Sequence, residues 1–375
     1  MMNIQKKLKP FINLGPGYTI KRYIDARGWS QEDLAELIDM SSKQLSKIIT
    51  NKARITIETA RLLAKVFNNS PEFWINLDTN YRLHLNSDTQ KENKAERKAK
   101  IRKYIPVAEI SKKGWYLSDN TAEGYEACTK EIWGTINIDS FYEDTAQKLC
   151  ARQKESSNPY THYVSITWQQ IARQKAQAIT VPTYNEEQLK TIANNLTKYT
   201  YLPNGILEVI QDLNKAGVKF FVLSHLSKTY LDGACFFDKN NPVIVYTARY
   251  NRIDNFWFTL AHEIAHVILH LPHLKEKSIL DDLDTKESIS LQEEEADQKA
   301  EEILHSAQII EKATPYLQYF TQKQLNLLAE QLQIAPSIIL GVLQYKNLIS
   351  YRKLTSYKTK VLDLFPKEVL FVQQK

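Results

Sequence analysis

Hydrophobic positions recur every three or four residues through the first part of the chain, a spacing that is typical of amphipathic helices. Hydroxyl residues stand before most of these runs, in the N-cap position where a side-chain oxygen accepts a bond from a free backbone N–H. Pro favours the first turn of a helix. We therefore predict short helices that begin after Ser30, after Ser41 or Ser42, after Thr56, and at Pro71.

Two of these helices are joined by a turn of three or four residues, which is the arrangement of a helix-turn-helix. The second helix turns its apolar side inward, and Asn51 closes it because Asn tolerates a left-handed backbone. Polar side chains outside can pair with base edges and phosphates, and the free N–H groups beside Gln31 suit a phosphate. The candidate DNA contacts are Gln31, Ser42, Lys43, Gln44, Ser46, Lys47, Lys52 and Arg54. The alternative is a helical hairpin that binds protein.

Charge is unevenly distributed along the chain. Residues 1–105 carry 20 Lys and Arg against 11 Asp and Glu, whereas the remaining residues carry 29 against 32. A basic domain is expected to meet phosphates, although a solvated basic surface would give the same excess. Residues 86–104 are dense in charge and almost free of apolar side chains, which predicts a solvated linker helix.

Residues 15–85 resemble the Xre/Cro-type domain of HigA-family antitoxins, most specifically in the segment NNSPEFWINLDTNY. The resemblance implies a five-helix Xre-type domain that binds double-stranded DNA, with a small toxin ribonuclease as a possible partner. Because such domains usually read paired half-sites, we also expect a homodimer.

The periodicity changes after a helical stretch in which no chemical motif is found. VKFFVL, GACFFD and PVIVYT are short β-rich runs, and Asp238–Asn241 separates the last two as a hairpin loop. Helical patterns then resume. The predicted class is mainly α with a small β-sheet (α+β), in the segments 15–85, 86–104, 105–200 (helical middle region), 201–310 (metallopeptidase domain) and 311–375 (helical extension).

The helix that follows the β-runs contains HEIAH, which has the form HExxH. His262 and His266 lie one turn apart on one face, so both imidazoles can reach one ion. Glu263 could then take a proton from water activated by zinc. His270 is too far along the helix to share that ion with His262, and neither it nor His273 is expected to be a ligand. The alternative is a core helix with one satisfied histidine.

A third ligand is expected from the acidic stretch EEEADQKA downstream. Glu293 and Asp297 share one helix face, and alanines on that face would allow a close approach to the HExxH helix. Glu293 then completes a set of two histidines and one glutamate, with Glu295 as the fallback ligand. Asp297 can accept the second N–H of a ligand histidine. Taken alone, the stretch would indicate a solvated acidic helix.

The β-runs, the HExxH helix and the acidic helix, residues 201–310, resemble the ImmA/IrrE metallopeptidase family. This resemblance implies a gluzincin-like zinc peptidase fold with His262, His266 and Glu293 as metal ligands and Glu263 as the catalytic acid. Several members cleave helix-turn-helix repressors, so the resemblance also implies a protein substrate.

Two features of the peptidase remain open in the sequence. GACFFD or PVIVYT could be an edge strand that holds an extended substrate, or the sheet could only cover the zinc helix. The oxyanion-stabilising group is not identified, and proximity in sequence gives His225, Tyr246, Arg249 and Tyr250 as candidates.

Cysteine usage and hydropathy bear on the compartment. Cys128, Cys150 and Cys235 are sparse and unpaired in spacing, which favours reduced thiols. Neither a signal peptide nor an uncharged apolar run of about 18 residues is evident. We therefore expect a cytoplasmic protein without a membrane partner.

Three functions fit these patterns. The first is a DNA-binding regulator whose zinc peptidase cleaves a regulatory protein, either a partner repressor or itself. The second is a repressor whose zinc domain acts as a sensor without turnover. The third is an antitoxin that neutralises a small toxin.

Overall fold

A computed structural model of the chain describes residues 14–84, 89–138, 159–271 and 286–371. Cys150 and His273 lie outside the described residues. The chain forms two compact units, Met1–Glu96 and Arg97–Lys375, and each unit has hydrophobic core clusters of its own.

The first unit is built from short helices. Their bounds are α1 Pro16–Asp25, α2 Gln31–Leu37, α3 Ser42–Ile49, α4 Ile57–Phe67, α5 Pro71–Leu83 and the charged helix α6 Thr89–Arg102, which continues past residue 96. The predicted caps are confirmed: Ser30, Ser41 and Thr56 each accept a bond from a backbone N–H of the following turn. Asn51 has the predicted left-handed conformation, with φ of 58°.

The core of the first unit forms where the apolar faces of these helices meet. Leu34, Leu45 and Trp74 are fully buried in it. Arg82 of α5 forms an ion pair with Asp78 and donates to the carbonyl oxygens that follow α3. The bond from its Nη2 to the Ala53 oxygen is 2.6 Å long. This arginine therefore ties the end of α3 to the last helix of the bundle.

The second unit combines helices with a small sheet. Its elements are α7 Val107–Lys112, α8 Ala122–Trp133, α9 Pro159–Gln177, α10 Glu186–Asn194, α11 Leu196–Tyr201, α12 Gly205–Lys215, β1 Lys219–Leu223, β2 Gly233–Asp238, β3 Asn241–Tyr246, α13 Ile253–Leu269, α14 Lys286–Ile303, α15 Ser306–Ala313, α16 Gln322–Leu332, α17 Pro336–Tyr345 and β4 Leu370–Phe371. Short 3-10 segments stand at Thr314–Tyr319, Thr355–Tyr357, Leu362–Leu364 and Lys367–Val369.

The four described strands lie in the order β2-β3-β1-β4. β2 and β3 form the predicted antiparallel hairpin, in which Asp238 stands opposite Asn241, while β1 pairs in parallel with both β3 and β4. β2 is therefore an edge strand and β3 is internal. The expectation that PVIVYT could be the edge is wrong, because hydrogen bonds from β1 and β2 occupy both sides of that strand.

Both faces of the sheet are covered. Phe220 and Val222 of β1 belong to the core shared with α13, whereas Phe221 and Leu223 belong to a core shared with helices α7 to α9. Successive side chains of a strand point to opposite faces, so the continuous apolar run of β1 serves two helical layers. The helical middle of the chain thus covers the outer face of the sheet.

The pair α16 and α17 lies within the core that also contains α13. α17 is an interior helix, since Ile338, Ile339 and Leu340 are fully buried. Among the described residues, no single helix is long and apolar enough to cross a membrane. By length and composition alone, α16 and α17 together would qualify, but they are bent by 111°.

Candidate metal centre and DNA-binding surface

Helix α13 carries the HExxH residues through the middle of the second unit. It packs against β2, β3, α14 and α17, and its residues Phe256, Trp257 and Leu260 are buried on several sides. The side chain of His262 remains 23% exposed, whereas that of His266 is only 4% exposed. The helix therefore presents one histidine to the open cleft and the other to the interior.

Helix α14 brings an acidic side chain to these histidines. Ala296 is fully buried and Ala300 is nearly so, in agreement with the prediction that small side chains allow α14 to approach α13 closely. Glu293 lies about one helical turn before Ala296, and its carboxylate points at the imidazoles of both His262 and His266. The helix contact thus joins residues that are about thirty positions apart in sequence.

Three possible ligand atoms converge between the two helices. One atom from each of His262, His266 and Glu293 lies within 4.8 Å of the other two, so the group could hold a metal ion. The two Nε2 atoms of the histidines are 2.9 Å apart. The Glu293 oxygens lie 3.2 Å from Nε2 of His262 and 3.6 Å from Nε2 of His266.

The site stabilises positive charge between the imidazoles. Burial disfavours the charged form of His262, but the hydrogen bond to Glu293 and the nearby carboxylates outweigh it and raise the pKa of His262 to about 9. Hydrogen bonds from His262 and His266 hold the pKa of Glu293 well below its usual range. A proton or a metal cation is favoured at the same place.

Acidic and histidine side chains also contact the outer nitrogens of the two imidazoles. Nδ1 of His262 lies 2.9 Å from Asp297 Oδ1. Nδ1 of His266 lies 3.0 Å from Nδ1 of His270, whose Nε2 lies 3.0 Å from Glu295 Oε2. The contacts of His270 and Glu295 were not predicted, because they depend on how the two helices are packed.

Glu263 lies beneath the edge strand. It is 6% exposed. Burial raises the pKa of its carboxyl group, although the charges of His262 and His266 act to lower it. It contributes to the wall of a cleft of about 540 Å³ that also includes the three possible metal ligands and the first residues of β2. A carboxyl group therefore stands beside the histidine pair, next to a strand whose outer edge is free in the described chain.

The four residues considered for oxyanion stabilisation are not among those that line this cleft. Tyr246, for example, is 2% exposed and donates its hydroxyl to the Tyr250 backbone oxygen. The tyrosines that do line the cleft are Tyr230, Tyr345 and Tyr351. Sequence proximity to the HExxH helix was a poor guide, because loops and a distant helix form this wall.

The predicted DNA contacts lie on the outside of the helix-turn-helix. Gln31 is half-buried at the start of α2, and the others are exposed on or just after α3: Ser42, Lys43, Gln44, Ser46, Lys47, Lys52 and Arg54. Two residues of α3, Leu45 and Ile48, are buried on the opposite side. The polar face of α3 is thus open, and its contacts with DNA remain a prediction.

Family comparisons cover both units. Residues 20–74 match the family model described as helix-turn-helix. Residues 213–340 match the model described as IrrE N-terminal-like domain, which is a peptidase family. The Xre-type helix-turn-helix and the ImmA/IrrE-like domain inferred from the sequence, and the α+β class, are therefore confirmed.

Individual relatives match short stretches of the chain. An uncharacterized HTH-type transcriptional regulator of Haemophilus influenzae is 51% identical over 47 residues, which is 12% of this chain and 44% of that protein. Virulence-associated protein A' of Dichelobacter nodosus is 39% identical over 69 residues, 18% of this chain and 60% of that protein. The uncharacterized HTH-type transcriptional regulator YddM of Escherichia coli (strain K12) is 31% identical over 68 residues, 18% of this chain and 72% of that protein. The first two relatives are thus spanned for about half of their length.

Proposed function

Since the chain belongs to the family of HTH-type transcriptional regulators and continues into an IrrE N-terminal-like peptidase domain, we propose that it is a DNA-binding regulator with a zinc-dependent endopeptidase. Its first unit binds double-stranded DNA through the exposed face of α3. Its second unit hydrolyses a peptide bond in a regulatory protein, which is either a partner repressor or the chain itself.

The observation that carries the peptidase proposal is the convergence of His262, His266 and Glu293 beside the buried carboxyl group of Glu263. Two imidazoles and one carboxylate are the protein ligands of several catalytic zinc sites. Ligand atoms around a tetrahedral zinc ion lie roughly 3.3 Å apart. The separations of 2.9, 3.2 and 3.6 Å between these atoms bracket that value, so the residues fit zinc with small adjustments.

When bound, zinc would supply a Lewis acid that polarises the scissile carbonyl group and makes water more acidic. The chain's own residues would do the rest. The carboxylate of Glu263 accepts a proton from the water that attacks the carbonyl carbon, and it delivers that proton to the amide nitrogen as the C–N bond breaks. Asp297 accepts a hydrogen bond from the Nδ1–H of His262 and thereby keeps its Nε2 free for the metal.

The free edge of β2 supports an extended peptide as the substrate. Backbone groups along the outer edge of a strand can pair with an added strand, and Gly233, Ala234 and Cys235 of β2 line the same cleft as Glu263. A peptide paired with this edge would run past the histidine pair. A protein segment that is unfolded or easily unfolded is therefore the preferred substrate.

The proposal is tested with wild type and two variants in parallel. We expect about one zinc ion per chain in wild type, the same in Glu263→Gln, and little in Glu293→Ala. In cells, new protein N-termini should arise with wild type but not with Glu263→Gln, while both proteins protect the same operator DNA. N-termini that arise equally with both proteins would overturn the peptidase assignment.

The two other functions give different results in the same experiment. A metal-dependent sensor without turnover predicts DNA affinity that changes with zinc and identical N-termini for wild type and Glu263→Gln. An antitoxin predicts a stable complex with a small toxin encoded by a neighbouring gene, and protection from that toxin by the variant as well as by wild type. No observation on the described residues favours either over the peptidase.

A further inference from the structure

The metal centre has a second line of hydrogen bonds behind its buried histidine. His266 is 3% exposed and His270, one helical turn later, is 6% exposed. Their Nδ1 atoms are 3.0 Å apart. Nε2 of His270 is 3.0 Å from Oε2 of Glu295, whose side chain is half exposed at the surface of α14.

We infer that His270 and Glu295 are positioning residues for the metal centre: through two consecutive hydrogen bonds they hold His266 with its Nε2 free to bind the ion. The inference rests on the proposed zinc site. It concerns how His266 is oriented, and neither residue touches the substrate or donates an atom to the metal.

The positions of the protons decide the argument. An imidazole that gives Nε2 to a metal carries its proton on Nδ1. The Nδ1–H of His266 must therefore be donated to a bare Nδ1 on His270, because two N–H groups cannot face each other at 3.0 Å. The remaining proton of His270 is then on Nε2, where the Glu295 carboxylate accepts it. Each donor in this line has one acceptor, and none is left unpaired.

Glu295 sets the direction of this line of bonds. A carboxylate only accepts hydrogen bonds, so it selects the form of His270 that is protonated on Nε2. That form leaves Nδ1 of His270 as an acceptor, and the acceptor in turn selects the metal-binding form of His266. An exposed residue thereby controls a ligand that is almost entirely buried.

The other ligand histidine is supported without an intermediary. Nδ1 of His262 contacts Asp297 Oδ1 at 2.9 Å. Three acidic residues of α14 thus act on the two histidines in different ways. Glu293 approaches both Nε2 atoms, Asp297 supports His262, and Glu295 supports His266 through His270. Partners of this kind change metal affinity by roughly 10- to 100-fold when they are removed.

The test measures zinc affinity of the full chain by competition with a chromogenic chelator. We expect Glu295→Ala to bind zinc about 10- to 100-fold more weakly than wild type. Because Glu295 is half exposed, its removal should leave the fold intact, which DNA binding and circular dichroism would verify. Glu294→Ala removes the same charge from the neighbouring position of α14 and should bind zinc as wild type does.

A second pair of variants separates hydrogen bonding from packing. His270→Phe keeps a ring but no acceptor and should weaken zinc binding to a similar degree. His270→Asn keeps an acceptor near the position of Nδ1 and should recover much of the affinity. In cobalt-substituted protein, the visible spectrum of His270→Phe should differ from that of wild type, since the ligand field reports the orientation of His266.

The possible failures are distinguishable. Wild type that binds no zinc would overturn both the zinc peptidase and this inference. Wild type that binds zinc, with equal affinity in Glu295→Ala and in both His270 variants, would overturn the inference alone. Equal weakening by Glu294→Ala and Glu295→Ala would also overturn it, because the effect would then come from general charge.

Discussion

Gly233 leaves the space in which the carboxyl group of Glu263 lies. A Cβ at this position would stand 2.5 Å from Glu263 Oε1 and 2.7 Å from Thr259 Cγ2, whereas ordinary contact begins at 3.4 Å. The backbone of Gly233 is not in the left-handed region, so alanine is compatible with the strand itself. Gly233→Ala should therefore displace the Glu263 carboxylate by about 0.9 Å.

The expected magnitude follows from that displacement. A shift of about 1 Å in a reacting group can lower the rate roughly 100-fold, which corresponds to about 2.7 kcal/mol in activation free energy. The crowding concerns Glu263 and Thr259 but neither ligand imidazole, so zinc content should be unchanged. The extra methyl group should also destabilise the unit by about 1–3 kcal/mol, as overpacked cores usually do.

The assay is hydrolysis of a degenerate library of quenched fluorogenic peptides, at matched zinc content. Gly341→Ala is the control, since its added Cβ would approach a Phe258 ring carbon at 2.9 Å in the same cleft but not Glu263. We expect a rate near that of wild type for Gly341→Ala. If Gly233→Ala hydrolysed the library as fast as wild type with full zinc occupancy, the assignment of Glu263 as the base would be refuted.

Three further predictions concern other parts of the chain. Ala296→Leu should overpack the contact between α13 and α14, lowering the free energy of unfolding by about 1–3 kcal/mol and weakening zinc binding; thermal denaturation that matches wild type would contradict this. Ser30→Ala should cost about 1 kcal/mol, because it removes the hydroxyl oxygen that accepts a bond from the Asp33 backbone N–H, and a chemical-denaturation midpoint of the first unit that does not fall would contradict it. Burial raises the pKa of the Cys128 thiol from 9.0 to about 12, so the free energy of unfolding should fall as the pH rises through that interval. Iodoacetamide at pH 9 should accordingly leave Cys128 unmodified until urea is added, as mass spectrometry would establish.

Local features of the fold could be predicted from the sequence. The caps at Ser30, Ser41 and Thr56, the left-handed Asn51 and the β2–β3 hairpin depend on interactions within a few residues. Their physical causes lie within the local sequence, so they could be predicted without knowledge of the packing.

Features that join distant segments could not be predicted in the same way. The sequence left two candidates for the edge strand, because strand order depends on β1 and β4 pairing across long separations. It placed the histidines and Glu293 as a group through spacing and resemblance, but gave His270 and Glu295 no connection with each other. That contact needs the relative rotation of α13 and α14, which no helical period specifies.

The sheet has a consequence for the order in which the chain matures during synthesis. Its fourth strand, Leu370–Phe371, pairs with β1 but lies about 125 residues after β3. A ribosome that adds about 5–20 residues per second needs roughly 6–25 s for that interval. The local contacts of the helix-turn-helix form much faster. A nascent chain would therefore fold its helix-turn-helix many seconds before the fourth strand completes its sheet.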